Sequence, residues 1–150
     1  MSLYRNTGYK SGYDTYKSNE VSTQSPAKLI VMLYDGAIRF LKTASDNMNY
    51  KNFDVVNNNI NRAHDIVDEL ISSLNVEEGG EVAQNLLSLY IYINKRIIEA
   101  NVNKDREIIS EVIHILGELK TAWEEILRKE GSLSSKTPVT PGKTGFSIQG

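Results

Sequence analysis

Residues 53–74 carry the most regular apolar pattern in the chain. Phe53, Val56, Ile60, Ala63, Val67, Leu70 and Leu74 recur at steps of 3, 4, 3, 4, 3 and 4 residues. Asn57, Asn58, Asn61, Asp65 and Asp68 occupy the opposite face. This heptad seam predicts a helix from near Asn52 to Leu74 that packs on its neighbours at about +20°. Upstream, Ser25-Pro26 marks a second helix start. The serine hydroxyl can accept a backbone N–H, and proline at the first helical position forfeits no bond. That helix should run to about Asn47, with a stripe of Ile30, Leu33, Ala37, Phe40/Leu41 and Ala44. The paired glycines of "EEGGE" at 77–81 predict a break. A third helix should then run from about Glu81 to Ala100. After the turn "NVNKD" at 101–105, capped by Asn103 or Asp105, a fourth should reach about Lys129. Its seam is Ile108, Val112, Ile115, Leu119, Ala122 and Ile126.

No proline falls between 27 and 137, so nothing in the sequence interrupts these helices except the turns. Four helices of similar length on short connections predict an all-α, antiparallel up-down-up-down four-helix bundle over 25–130. Gly36 and Gly117 lie inside helical patterns and read as points of close helix approach. Residues 1–24 form a Tyr-rich leader. Residues 131–150, rich in Ser, Thr, Gly and Pro, read as a disordered tail.

Composition narrows the function. The segment 21–130 has 12 basic and 17 acidic residues, a balance of −5. That argues against a nucleic-acid surface, which needs a basic patch. There is no cysteine, which excludes thiolate chemistry and disulfides. No apolar run of about 18 residues exists to insert into a membrane, and no secretory signal is visible in residues 1–20, so the cytoplasm is the expected address.

Candidate chemistry is sparse. Glu111 and His114 make one Glu-x-x-His, the di-iron bundle motif, but such sites need it on two helices and no second copy occurs. His64 lies beside the seam of the second helix. There is no HExxH, no phosphate-cradling glycine loop and no GxSxG. The expectation is no enzyme, no metal and no cofactor.

Apolar residues, by contrast, are in excess. The third helix carries the stripe Val82, Leu86, Leu89, Ile93 and Ile97, and a second stripe, Leu87, Tyr90, Ile91 and Ile98, rotated by roughly 100°. The first helix adds Val31, Tyr34 and Ile38, and the fourth adds Ile109, Ile113 and Trp123. A helix apolar on more than one face is central or faces a partner. Tyr34, Leu87, Tyr90, Ile91 and Ile98 are therefore the candidate walls of a surface groove. An amphipathic helix is the natural ligand of such a groove. Tyr9, Tyr13 and Tyr16 share one helical face and supply aromatic area with a water-tolerant tip. They are the candidate lid of the empty groove. A self-associating structural bundle, with the extra stripes as its interface, is the alternative.

The block "SPAKLIVMLYDGAIRFL" at 25–41 resembles the FliS family of flagellar secretion chaperones. So do the leader ending "SNEVSTQSP", the segment "NLLSLYIYINKRIIEAN" and the ending "ELKTAWEEI". The resemblance covers about residues 4–130. It implies a cytoplasmic four-helix bundle without catalytic site or cofactor. It also implies a partner, the C-terminal segment of newly made flagellin, which becomes helical as it wraps the chaperone. Holding that segment blocks premature polymerisation, and delivery to the flagellar type III export gate follows. The resemblance leaves room for a further flagellar regulator or co-chaperone.

Overall fold

The computed structural model describes residues 25–136, with side chains placed to Gly131. The elements are α1 (Pro26–Met48), α2 (Phe53–Ser73), α3 (Val76–Asn103) and α4 (Arg106–Lys136). Among the described residues there is no strand.

The helix starts follow local chemistry. Ser25 Oγ accepts from Lys28 N at 3.2 Å, with Pro26 in the first turn of α1. Asn75 Oδ1 accepts from Glu78 N at 3.0 Å and caps α3. Its first turn is interrupted at Gly80, where φ is 60° and ψ is −138°. The break expected at the glycine pair is therefore present, as a kink at Gly80 between a short capped turn and the long part of α3. Asp105 is the cap of α4, its Oδ1 accepting from Glu107 N at 2.9 Å. The helix continues past the expected end at Lys129 to Lys136, so residues 131–136 of the predicted tail are helical. Residues 137–150 lie outside the described residues.

Each helix packs against its two neighbours in the cycle α1, α2, α3, α4. Polar contacts fix the directions. Arg106, opening α4, donates to Ser45 and Asn49 at the end of α1, while Lys120, midway along α4, reaches Asp35 further back in α1. Lys104, closing α3, donates to Asn57 at the start of α2. Neighbours therefore run antiparallel, as the short connections require.

The core is continuous. Val56, Ile60, Ala63, Val67 and Leu70 of the α2 seam are buried, joined by Ile66. Phe53, at the seam's first position, is exposed, with the Lys104 ammonium 5.5 Å from its ring centroid. On α1 the supposed extra residues Val31, Tyr34 and Ile38 are buried beside Leu33, Ala37, Leu41 and Ala44. On α4 the seam is rotated from the expected one. Ile109, Val112, Leu116 and Trp123 are buried, whereas Ala122 is exposed and Ile126 only half-buried. The cause is the same in both helices. A helix with two bundle neighbours buries an arc wider than a two-position seam.

Gly36 is a point of close approach, since a Cβ there would lie 3.3 Å from Ile66 Cδ1. Gly117 is not, because nothing lies within 4 Å of a Cβ built on it.

Candidate partner-binding surface on the third helix

The sequence of α3 supplies more apolar side chains than its two neighbours can cover. Tyr90, Ile93, Ile97 and Ala100 point inward and are buried, and Leu86 and Leu89 pack at the core's edge. Ile91, Ile98 and Val102 remain 48%, 51% and 76% exposed, and Leu87 is half-buried. Leu87, Ile91, Ile98 and Val102 follow one another at steps of 4, 7 and 4, which places them on one face. Of the seven exposed large hydrophobics among the described residues, five belong to α3: Val82, Ile91, Tyr92, Ile98 and Val102. The other two, Tyr50 and Phe53, lie at the α1–α2 connection. Single exposed apolar residues are ordinary, but a row along one helix marks a contact surface.

Polar contacts hold this face outward. On the α4 side, Tyr92 Oη donates to Glu111 Oε2 at 2.5 Å, and Arg96 Nε donates to Glu111 Oε1 at 2.9 Å. Arg96 also pairs with Glu99 at 2.7 Å. The Tyr92 hydroxyl and then the Arg96 guanidinium hold the Glu111 carboxyl below its usual range, and the same bond raises the Tyr92 hydroxyl. On the α2 side, Asn94 donates to Asp68 and Lys104 to Asn57, both at 2.8 Å. Rotation of α3 about its axis would break both sets. The Glu-x-x-His motif is divided in this arrangement. Glu111 serves Tyr92 and Arg96, whereas His114 lies 3.2 Å from Glu118.

Two of the candidate groove walls are not at the surface. Tyr34 and Tyr90 are fully buried, and their hydroxyls meet at 2.5 Å inside the bundle. Their place among surface walls is therefore corrected: they form a core pair between α1 and α3. The second stripe of α3 was read as one face, but Tyr90 lies about 100° around the helix from Ile91, on the inward side. Ile91 and Ile98 are exposed and Leu87 is partly so. Val102, which the sequence reading did not single out, extends the row. Its position eleven residues after Ile91 was the available signal. Val82, assigned to the buried stripe, is exposed just beyond the Gly80 kink. The lid residues Tyr9, Tyr13 and Tyr16 lie outside the described residues.

Exposed aliphatic side chains on a helix offer contact area, with no acid, base or nucleophile among them. What kind of protein presents such a face is decided by comparison. Residues 9–130 match the family model described as flagellar protein FliS. The chain belongs to the FliS family. The flagellar secretion chaperone FliS of Vibrio cholerae serotype O1 is 36% identical over 108 residues, covering 72% of this chain and 79% of the relative. That of Salmonella typhimurium is 32% identical over 135 residues, covering 89% of this chain and the whole of the relative. That of Campylobacter jejuni is 35% identical over 118 residues, covering 79% and 92%. The FliS match takes in all of α1, α2 and α3 and most of α4, and so the whole apolar row. Among the described residues, no helix is long and apolar enough to cross a membrane.

Proposed function

We propose that this protein is a cytoplasmic flagellar export chaperone that binds the C-terminal segment of flagellin on the outer face of α3. The observation that carries this reading is the concentration of exposed apolar side chains on that one helix, Leu87, Ile91, Ile98 and Val102 forming its row. Membership of a family whose relatives are named flagellar secretion chaperones supplies the partner. A segment that folds as it binds must be ordered, and burying an apolar face against a preformed helix offsets that ordering. The outcome is specific yet releasable binding, which suits hand-over to the export gate. In the free protein, Tyr9, Tyr13 and Tyr16 of the leader would cover part of the same row and be displaced by flagellin. Nothing in this role calls for catalysis, and a further flagellar regulator could bind elsewhere on the bundle.

Calorimetric titration with flagellin of the same organism tests the reading. Full-length flagellin should bind. A form lacking roughly its last 40 residues, a length that can cover one or two helices of about 30 Å, should not. Equal binding of both forms, or of neither, would sink it. Failure of both would turn attention to self-association through the same face, read by mass in solution.

A further inference from the structure

The polar face of α2 is as regular as its seam. Asp54, Asn58, Asn61, Asp65, Asp68 and Ser72 follow one another at steps of 4, 3, 4, 3 and 4, and all six are exposed. This stripe runs alongside α3. Asp68 Oδ1 accepts from Asn94 Nδ2 at 2.8 Å, and Asn57, next to Asn58, accepts from Lys104 Nζ at 2.8 Å. The same two bonds set the register. The helices are antiparallel, so Ile91 falls level with the stretch Asp68–Ser72 and Ile98 with Asn61–Asp65. At about 100° per residue, Ile91 and Ile98 lie roughly 40–60° round α3 from Asn94, which touches α2, and roughly 100–120° from Tyr92, which touches α4. The groove between α2 and α3 therefore has two unlike walls. One is the apolar row Leu87, Ile91, Ile98 and Val102, and the other is the stripe of carboxylates, amides and a hydroxyl.

The polar wall is also acidic. α2 carries four carboxylates, Asp54, Asp65, Asp68 and Glu69, against the one cation Arg62, a balance of −3. Arg62 lies over the Phe40 ring of α1, 5.6 Å from its centroid. The stripe itself contains no Lys or Arg.

We infer that this groove takes an amphipathic helix with a cationic, carboxylate-free flank. The inference rests on the flagellin reading above and gives the bound segment its chemistry: apolar side chains toward α3, and Lys or Arg toward α2. A helix is about 10–12 Å across and packed neighbours sit about 8–10 Å apart, so a helix laid along the groove touches both walls. Lys or Arg beside the aspartates makes charge-assisted hydrogen bonds. A carboxylate in the same place meets like charge as water is lost, so an acidic amphipathic helix is refused although its apolar face fits the row. The difference between the walls also fixes which way the bound helix is rolled.

The chain contains its own control. α4 stands across the bundle from α2, and its Glu118 and Glu125 are exposed carboxylates near His114 and Arg128. Neutralising those two changes the net charge by as much as neutralising two aspartates of the stripe.

Calorimetric titration of the full chain with full-length flagellin of the same organism, in about 50 mM and about 0.5 M sodium chloride, is the test. The unmodified protein should bind, and several-fold more weakly at high salt. The isosteric pair Asp65→Asn/Asp68→Asn keeps an acceptor for Asn94. It should weaken binding about five- to tenfold at low salt and lose most of the salt dependence, the scale on which two solvated ion pairs act. Asp65→Lys, which leaves the bond between Asp68 and Asn94 in place, should weaken binding at least as much. Glu118→Gln/Glu125→Gln should bind as the unmodified protein does. Undiminished affinity in folded Asp65→Asn/Asp68→Asn, or an affinity indifferent to salt, overturns the acidic wall and leaves the flagellin reading standing. So does equal weakening by the two double variants, which would be an effect of net charge alone. No binding by the unmodified protein overturns the flagellin reading, and this inference with it.

Discussion

The hydroxyls of Tyr34 and Tyr90 meet 2.5 Å apart in the middle of the bundle, joining α1 to α3, two helices that are not neighbours in its cycle. The rings lie 6.4 Å apart, tilted at 49°. The Trp123 side chain from α4 also hydrogen-bonds with the Tyr34 hydroxyl. A hydroxyl buried in an apolar core is tolerated only when paired, and truncating one partner strands the other. Tyr34→Phe strands Tyr90 and Trp123 together and should destabilise by about 2–3 kcal/mol, whereas Tyr90→Phe leaves Tyr34 its indole partner and should cost about 1 kcal/mol. The double variant should cost less than the sum, because Tyr90 no longer loses a partner it does not need. Urea unfolding of the four proteins measures this, and strict additivity would show that the hydroxyls do not interact.

The same pair makes stability fall at high pH. Burial, and for Tyr34 also the neighbouring Tyr90, pushes both hydroxyls up, Tyr90 to about 12 and Tyr34 further. The unfolded chain therefore loses these protons near the ordinary tyrosine value of 10.0 while the folded chain keeps them. With fewer protons bound in the unfolded state, unfolding becomes easier as pH rises. The stabilising contribution is fully present below pH about 10 and declines above it. Denaturant midpoints taken between neutral and strongly alkaline pH should fall steeply in the unmodified protein. In Tyr34→Phe/Tyr90→Phe the fall should be shallower, and equal slopes would contradict the assignment.

The two helical glycines should answer differently to alanine. Gly117 has open space around a Cβ, so Gly117→Ala should stabilise the free protein by up to about 1 kcal/mol through helix propensity. At Gly36 the new methyl meets Ile66 Cδ1 at 3.3 Å, inside a closed core. Gly36→Ala should forfeit most of that gain, with the Ile66 side chain obliged to shift. Thermal melts would decide it, and a larger gain at Gly36 than at Gly117 would be the wrong way round.

These residues show what a sequence can and cannot disclose. The helices were legible because caps and seams are local. Ser25 bonds a residue three positions away, and the α2 seam runs at a fixed period. Burial at the margins of a seam was not, because it depends on which neighbour stands beside it. Tyr34 and Trp123 looked surplus along their own helices, yet each is sealed by a helix distant in sequence. Tyr90 and Ile91 are adjacent in the chain and lie on opposite sides of the wall. The pairing of Asn94 with Asp68 leaves no trace in either helix's pattern, since a single asparagine in an apolar stripe does not say what faces it.

The outward row offers the most direct test of function. Ile91 and Ile98 are about half exposed, one helical face apart by seven residues, and neither belongs to the buried core. Replacing either with glutamate removes little packing from the free protein, so stability should stay within about 0.5 kcal/mol, as for other surface changes. In a complex with an amphipathic segment the same carboxylate would be buried against apolar side chains without a partner, which is strongly unfavourable. Ile91→Glu and Ile98→Glu should each weaken flagellin binding by at least about tenfold, or 1.4 kcal/mol, and together should abolish it at micromolar concentrations. Tyr50→Glu, at a side chain 80% exposed in the α1–α2 connection, should bind flagellin as the unmodified protein does. Calorimetric titration alongside circular dichroism separates lost binding from lost fold. Folded Ile91→Glu/Ile98→Glu that binds flagellin with undiminished affinity would place the partner on another face of the bundle.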